Sequence, residues 1–262
     1  MIRALSFLLS LAALAQSPAR LEYKCTDDDI HELGLSCTTE EPCPVFLELT
    51  SVAQAGARLI VVGNFHTSSQ TLHTVLLASE DGGRTFTEPH PRLRAAVLEQ
   101  IQFVDLETGW ISGHNLLPLP RDPFVLLTTD GGKTFRQRPL SDESRNGATE
   151  QFWFDSKRHG RFVVNRGAKY ELWESETGGE SWSLGEVKST AIPLPREQTP
   201  SLRLRADKTT FRIERRGGDA WELVASFLLR TGDCRPPEPE EPKEKPPEPE
   251  PAKIKPPGPP RR

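Results

Sequence analysis

The side chains best suited to chemistry in this chain are six histidines, four cysteines and two tyrosines, and their spacing argues against catalysis. His31, His66, His73, His90, His114 and His159 form no H-x-x-x-H or H-E-x-x-H pair, the spacings that set two imidazoles on one helix face for a metal. No G-x-S-x-G elbow is present, and the Gly-Gly pairs recur too regularly to be phosphate cradles. Asp27-Asp28-Asp29 lacks the alternating ligands and fixed glycine of a calcium loop and reads as a solvated acidic run. Tyr170 stands on an apolar strand, where packing accounts for it. We therefore assign no catalytic residue, no metal site and no cofactor.

The cysteines read differently. Cys25, Cys37, Cys43 and Cys234 contain no C-x-x-C pair and have no histidine at zinc-ligand spacing, whereas an even count in an exported chain implies two disulfides. Four cysteines allow three pairings. The short interval from Cys37 to Cys43 favours a local loop, which leaves Cys25 to join Cys234 and tie the ends of the folded part together.

An internal repeat must position whatever site exists. Ala78-Ser-Glu-Asp-Gly-Gly-Arg-Thr-Phe86, Thr128-Thr-Asp-Gly-Gly-Lys-Thr-Phe135 and Ser175-Glu-Thr-Gly-Gly-Glu-Ser-Trp182 share the pattern S/T-x-D-G-G-x-T/S-F/W, and Glu214-Arg-Arg-Gly-Gly-Asp-Ala-Trp221 is a weaker fourth copy. From Asp81 to Asp130, Thr177 and Arg216 the intervals are 49, 47 and 39 residues, the size of one four-stranded propeller blade. Asp81 and Asp130 can accept hydrogen bonds from backbone N–H groups just ahead, and Gly82, Gly83, Gly131, Gly132, Gly178, Gly179, Gly217 and Gly218 supply conformations closed to residues with a Cβ. Phe86, Phe135, Trp182 and Trp221 start the next strand and bury a ring against their own blade. Where Asp is lost, in the third and fourth copies, only the glycines and the ring are left to hold the turn.

The flanks repeat as well. Val75–Leu77, Phe124–Leu127, Tyr170–Trp173 and Phe211–Ile213 precede the turns; Arg58–Gly63, Gly109–Gly113 and Gly160–Val164 come earlier. Phe46–Leu49, Ile101–Asp105, Gln151–Asp155 and Leu202–Arg205 read as first strands. Short strands broken by Gly, Pro and Asn at even spacing predict an all-β fold: a small β-propeller, or propeller arc, of four to five four-stranded blades. A fifth blade would be assembled from Leu21 to Glu48 with the chain end. Asp27 to Leu35 fits one short helical turn.

These turns, with Phe103-Val-Asp105, Gly109-Trp110 and Gly113, resemble the Asp-box repeat propellers, most nearly the photosystem II assembly factor-like proteins and more distantly sialidases and sortilin-like receptors. The resemblance spans roughly residues 44 to 230 and implies a fold rather than an activity. Exported repeats of this kind occur in bacteria without photosynthesis, so photosystem assembly is not carried across. Relatives have six to eight blades against four counted here, which leaves an open arc or a homodimer of arcs as alternatives to a closed ring. A sialidase would need an arginine triad, a Tyr nucleophile and an acid Asp over six blades, which this chain does not offer.

In an up-and-down blade the repeated turns join third and fourth strands, so the second-to-third loops face the opposite way. Those loops are Asn64 to Thr74, His114 to Asp122 and Asn165 to Lys169, and they offer His66, His73, His114, Asn115, Arg121, Asp122 and Arg166 as candidate ligand-binding residues. The functional expectation is a non-enzymatic binding or scaffold module presenting this face to a protein or cell-envelope component, with a glycan-directed or other hydrolase as the alternative.

The ends set the context. Arg3 and the apolar run Leu5 to Ala15, closing on Ala13-Leu14-Ala15, read as an export signal over residues 1–15, too short to span a bilayer at about 20 residues. Residues 16–43 form a Cys-containing N-terminal segment, 44–234 the propeller-like domain, and 235–262 a Pro/Glu/Lys-rich tail expected to stay solvated and disordered, either without a partner or as a spacer or docking peptide. The net charge of −4, with both signs interspersed, argues against nucleic acid. A periplasmic or secreted location follows from the export signal, with no transmembrane segment in the mature chain.

Overall fold

The computed structural model describes Tyr23 and residues 25–194, 201–207, 210–228 and 231–236. The export signal and almost all of the Pro/Glu/Lys-rich tail lie outside the described residues. Among those residues no helix is long and apolar enough to cross a membrane.

Among the described residues the fold contains one helix and sixteen strands. The helix, α1 (Asp27–Glu32), is followed by β1 (Cys43–Pro44), β2 (Phe46–Ala55), β3 (Arg58–His66), β4 (Thr71–Ser79), β5 (Ala96–Phe103), β6 (Gly109–Asn115), β7 (Arg121–Thr128) and β8 (Arg136–Pro139). Then come β9 (Ala148–Phe154), β10 (Gly160–Asn165), β11 (Tyr170–Ser175), β12 (Ser183–Lys188), β13 (Leu202–Asp207), β14 (Thr210–Gly217), β15 (Ala220–Leu228) and β16 (Asp233–Cys234). They form four antiparallel sheets in chain order, β2-β3-β4, β5-β6-β7-β8, β9-β10-β11-β12 and β13-β14-β15, plus the pair β1-β16. The first sheet's fourth strand is reduced to a single bridge, Ala78 to Thr87.

The repeated turns close three of these sheets as the sequence demands. Asp81 Oδ1 accepts from Arg84 N at 3.0 Å and Thr85 N at 2.9 Å, and Asp130 Oδ1 from Lys133 N at 2.9 Å and Thr134 N at 3.0 Å. The third turn is better supplied than its sequence suggests. Thr177 Oγ1 accepts from Ser181 N at 2.9 Å in place of the missing carboxylate, while Ser175 Oγ accepts from Gly179 N at 2.8 Å as Ser79 and Thr128 do for Gly83 and Gly132 in the first two turns.

Each of these three turns also docks on a neighbouring sheet. A Cβ on Gly132 would run into Ile60 of β3, and one on Gly179 would press on Trp110 of β6, whose indole donates to Gly178 O at 2.8 Å. Gly83 abuts Ala225 of β15, so the last sheet stands before the first. Phe86 accordingly packs on Phe227 of β15, ring centroids 4.7 Å apart. Apolar clusters fill three junctions. Val61, Phe65 and Leu77 meet Phe211, Ile213 and Phe227; Ile60 and Leu76 meet Leu98 and Ile111; Trp110 and Leu127 meet Phe154 and Phe162. Side chains also imitate strand pairing across junctions: Gln102 Oε1 accepts from Phe154 N and its Nε2 donates to Phe154 O, both at 2.8 Å. Strands β2, β5, β9 and β13 line a central cavity of about 570 Å³.

Two expectations need correction. Leu202–Arg205 is the first strand of its sheet, β13, but it does not run as the first strands of the other sheets do. Leu202 pairs with Arg215, whose guanidinium donates to Gln54 beside the β2–β3 turn, so β13 runs from the turn end, opposite to β2. The fourth Gly-Gly turn therefore joins the second and third strands of a three-stranded sheet, and a strand equivalent to β2 is absent there among the described residues. Nor does the N-terminal segment build a fifth blade with the chain end. It makes a clip in which β1 pairs with β16, Val45 N donates to Gly232 O at 3.1 Å, and Cys25 bridges Cys234 while Cys37 bridges Cys43. This closes the junction of the fourth and first sheets through the oxidising chemistry of an extracytoplasmic compartment.

Asp29 departs from a solvated run for the same reason. As N3 of α1 it completes a capping box with Thr26, and at 2 % exposure it lies under the clip beside Tyr23, His73 and Arg94.

Candidate functional site

Three short loops, residues 67–70, 116–120 and 166–169, join second to third strands at the end of the sheets opposite the Gly-Gly turns. Most of the polar residues singled out there turn out to hold the loops in place.

His73 lies on β4, its Nδ1 2.9 Å from Tyr23 Oη and its Nε2 3.5 Å from Asp29 Oδ1, and burial lowers its pKa. It fastens the N-terminal clip. His114 is 5 % exposed, accepts from Thr149 N at 3.3 Å through Nδ1, and is held by burial at a pKa of about 4. It is a neutral wedge between the second and third sheets. Asn115 is half-buried and pairs with Arg121 across the loop. Asp122, at a φ of 47°, is fixed by Arg121 Nε at 3.0 Å, Ser144 Oγ at 2.9 Å and Arg145 N at 2.8 Å. Arg166 donates through Nε to buried Glu171 at 2.9 Å and through Nη1 to Asn146 O at 2.5 Å. Burial alone would raise the Glu171 carboxyl, but the Arg166 guanidinium outweighs it and the pKa falls.

His66 is different, since it lines an open cavity. Its ring lies 5.6 Å from that of Phe46, at the edge of a recess of about 460 Å³ that includes Glu48, Thr50, Asn64 and Glu99. The recess arises from one feature of β5. The register slips between Leu98 and Gln100, so Glu99 is an extra, unpaired residue. Buried Asn64 clamps the adjoining peptide, accepting from Leu98 N at 2.8 Å and donating to Leu98 O at 3.2 Å. Burial raises the Glu99 pKa, and the nearby Glu48 adds to it. No group of three or more His, Cys, Asp or Glu among the described residues could hold a metal.

Beside exposed polar residues such as Ser68, Gln70 and Lys169, this end carries three exposed large apolar side chains. Leu117 is 40 %, Leu119 58 % and Phe46 47 % exposed. The loop carrying the two leucines is pinned at both feet, by Leu116 N to Ala95 O at 2.7 Å and Gly147 N to Pro120 O at 2.7 Å. Polar residue types alone do not point to them. The run Leu116-Leu-Pro-Leu-Pro120, apolar yet inside a loop, was the available signal. The bulge at Glu99 left no trace in composition.

No family model matches the chain, and no curated protein matches it either. Solved structures do. YCF48 bound to D1 peptide is 20 % identical over 72 % of this chain and 59 % of that one, with a TM-score of 0.39. YCF48 from Cyanidioschyzon merolae is 14 % identical over 77 % and 53 %, at 0.36. Phage phi92 endosialidase is 13 % identical over 68 % and 42 %, at 0.42. The chain thus spans about half the length of these structures.

Proposed function

We propose that the chain is an exported, non-enzymatic binding or scaffold module that docks a protein or cell-envelope component on its loop end. The observation that carries this reading is the pairing of exposed Leu117 and Leu119 with a loop fixed at both feet. Apolar side chains held rigid in water have their ordering entropy already spent, which is the property of an interface anchor. The polar candidates support the same reading indirectly. His114, Asp122 and Arg166 are committed to neighbours in the fold, and a group so committed is poorly placed to bind substrate.

The test is capture from envelope extract by the wild-type chain, by a Leu117→Asp/Leu119→Asp variant, and by Leu106→Asp, a residue 69 % exposed in the β5–β6 turn at the opposite end. All three should melt alike, since exposed substitutions shift stability by only about 0.5 kcal/mol. Loss of the captured partner in the loop-end variant alone supports the proposal; equal recovery by all three overturns it.

One observation favours a second reading, a glycan-directed hydrolase. Glu99, its pKa raised by burial and by Glu48, lines the recess together with Glu48 beside His66, and a pair of carboxyl groups in one recess is the element of acid–base hydrolysis. Hydrolysis of an envelope glycan that disappears in Glu99→Gln would establish it.

A further inference from the structure

Among the described residues, the fourth sheet is covered on one face only. Leu202, Phe211, Ile213, Ala225 and Phe227 pack on the first sheet. The opposite face carries Arg203, Arg205, Arg212, Glu214, Trp221 and Leu223. The third sheet does not cover it, because Ile192 and Leu194 already lie over Val163, Trp153 and Leu172 there. The fourth turn docks on nothing: a Cβ on Gly218 would meet no atom within 4 Å, unlike those on Gly83, Gly132 and Gly179.

This free face has a distinct chemistry. Arg203 Nε lies 2.5 Å and Arg205 Nε 3.5 Å from the same Glu214 carboxylate, and Arg212 makes no ion pair with another described residue. The Arg203 guanidinium lies 4.1 Å over the Trp221 ring, and Leu223 is 62 % exposed. Cationic and apolar groups alternate across it.

We propose that this face is the docking surface for the chain's own residues 237–250. That segment interleaves six prolines with six glutamates and has only two lysines. Glutamates match Arg205 and Arg212, and proline rings match Trp221 and Leu223, in the manner of proline-rich segments on aromatic platforms. Prolines lack the N–H needed to extend the sheet beside β15, so recognition falls to side chains. The starting point also fits. Cys234 is held in the clip six residues after Leu228, where β15 ends. Fourteen residues of proline-rich chain reach about 43 Å at ~3.1 Å each, more than the ~30 Å of a nine-residue strand at ~3.3 Å per residue. The tether raises the local concentration over that of any separate peptide.

The experiment follows the Trp221 indole N–H resonance of the full chain. Wild type should shift as salt is raised to about 1 M, where charges are screened beyond about 3 Å. A Glu238→Lys/Glu240→Lys/Glu241→Lys/Glu244→Lys chain should hold the high-salt position at low salt, as should Arg205→Glu/Arg212→Glu. Combining the two sets restores the attraction with its signs exchanged, and should restore the low-salt position. None of the four glutamates belongs to a described strand, so the first variant tests docking even if the arginine variant misfolds. An unchanged resonance in the glutamate variant, no recovery in a folded combined variant, or a position that varies with protein concentration, which would mean a second copy, overturns the proposal.

Discussion

Asp130 shows how much one side chain can organise. Its carboxylate accepts from Thr128 Oγ1 at 2.8 Å, Lys133 N at 2.9 Å, Thr134 N at 3.0 Å and Thr134 Oγ1 at 2.6 Å. Burial would raise its pKa, but the bonds from Thr134, Thr128 and Lys133 outweigh it and hold the group at about 2. The folded-state pKa is the lower one, so this carboxylate's stabilisation is full above about 3.8 and lost as pH falls toward 2. Asp130→Ala should lower the unfolding free energy by about 1–2 kcal/mol at neutral pH in urea titrations, as loss of a capping side chain does, and should flatten the acid limb. His114 works over a higher window. With a folded pKa of about 4 against 6.5, its contribution is complete above 6.5 and declines between 6.5 and 4. Its ring resonances should titrate near pH 4; a midpoint near 6.5 would mean that the wedge is solvated. Such roles were half legible. The acceptor duty of Asp81 and Asp130 follows from their place before Gly-Gly, whereas His114 reads equally well as ligand or wedge until the third sheet is seen against it.

At the scale of the element, the Gly-Gly turn both reverses the chain and docks one sheet on the next, and the two glycines divide these tasks. Gly82 has φ +73° and open space around it, so Gly82→Ala meets backbone strain alone, about 1–2 kcal/mol. Gly132 has φ +79° and Ile60 in the path of a Cβ, so Gly132→Ala adds a clash between sheets and should cost at least about 1 kcal/mol more. Comparing urea midpoints checks this, and equal losses would remove the docking role. Strand positions were plain from alternation and from the Gly, Asn and Pro between runs. Strand direction in the fourth repeat was not: Leu202-Arg-Leu-Arg205 alternates as well running one way as the other, and only the pairing of Arg215 with Leu202 fixes it.

For the whole molecule the decisive junction is that between the fourth and first sheets, which the chain must close from its two ends. The Cys25–Cys234 bridge spans 209 residues and Cys37–Cys43 only 6. Chain-entropy reasoning assigns about 5 kcal/mol to the long loop and about 2 kcal/mol to the short one. Cys25→Ser/Cys234→Ser should therefore destabilise far more than Cys37→Ser/Cys43→Ser in thermal melts, and reversal of that order would contradict closure by the clip. The pairing was suggested by the short Cys37 to Cys43 interval, but the clip's packing was hidden, because Tyr23, Asp29 and His73 are brought together only by the fold.

The central claim is that partners meet this molecule at the loop end and that the turn end is structural. Photo-crosslinking amino acids placed singly at Leu117, Leu119 and Leu106 test it in intact cells without disturbing the fold. A discrete crosslinked product is expected from positions 117 and 119 and none from 106. Products from 106 with none from the loop end would contradict it.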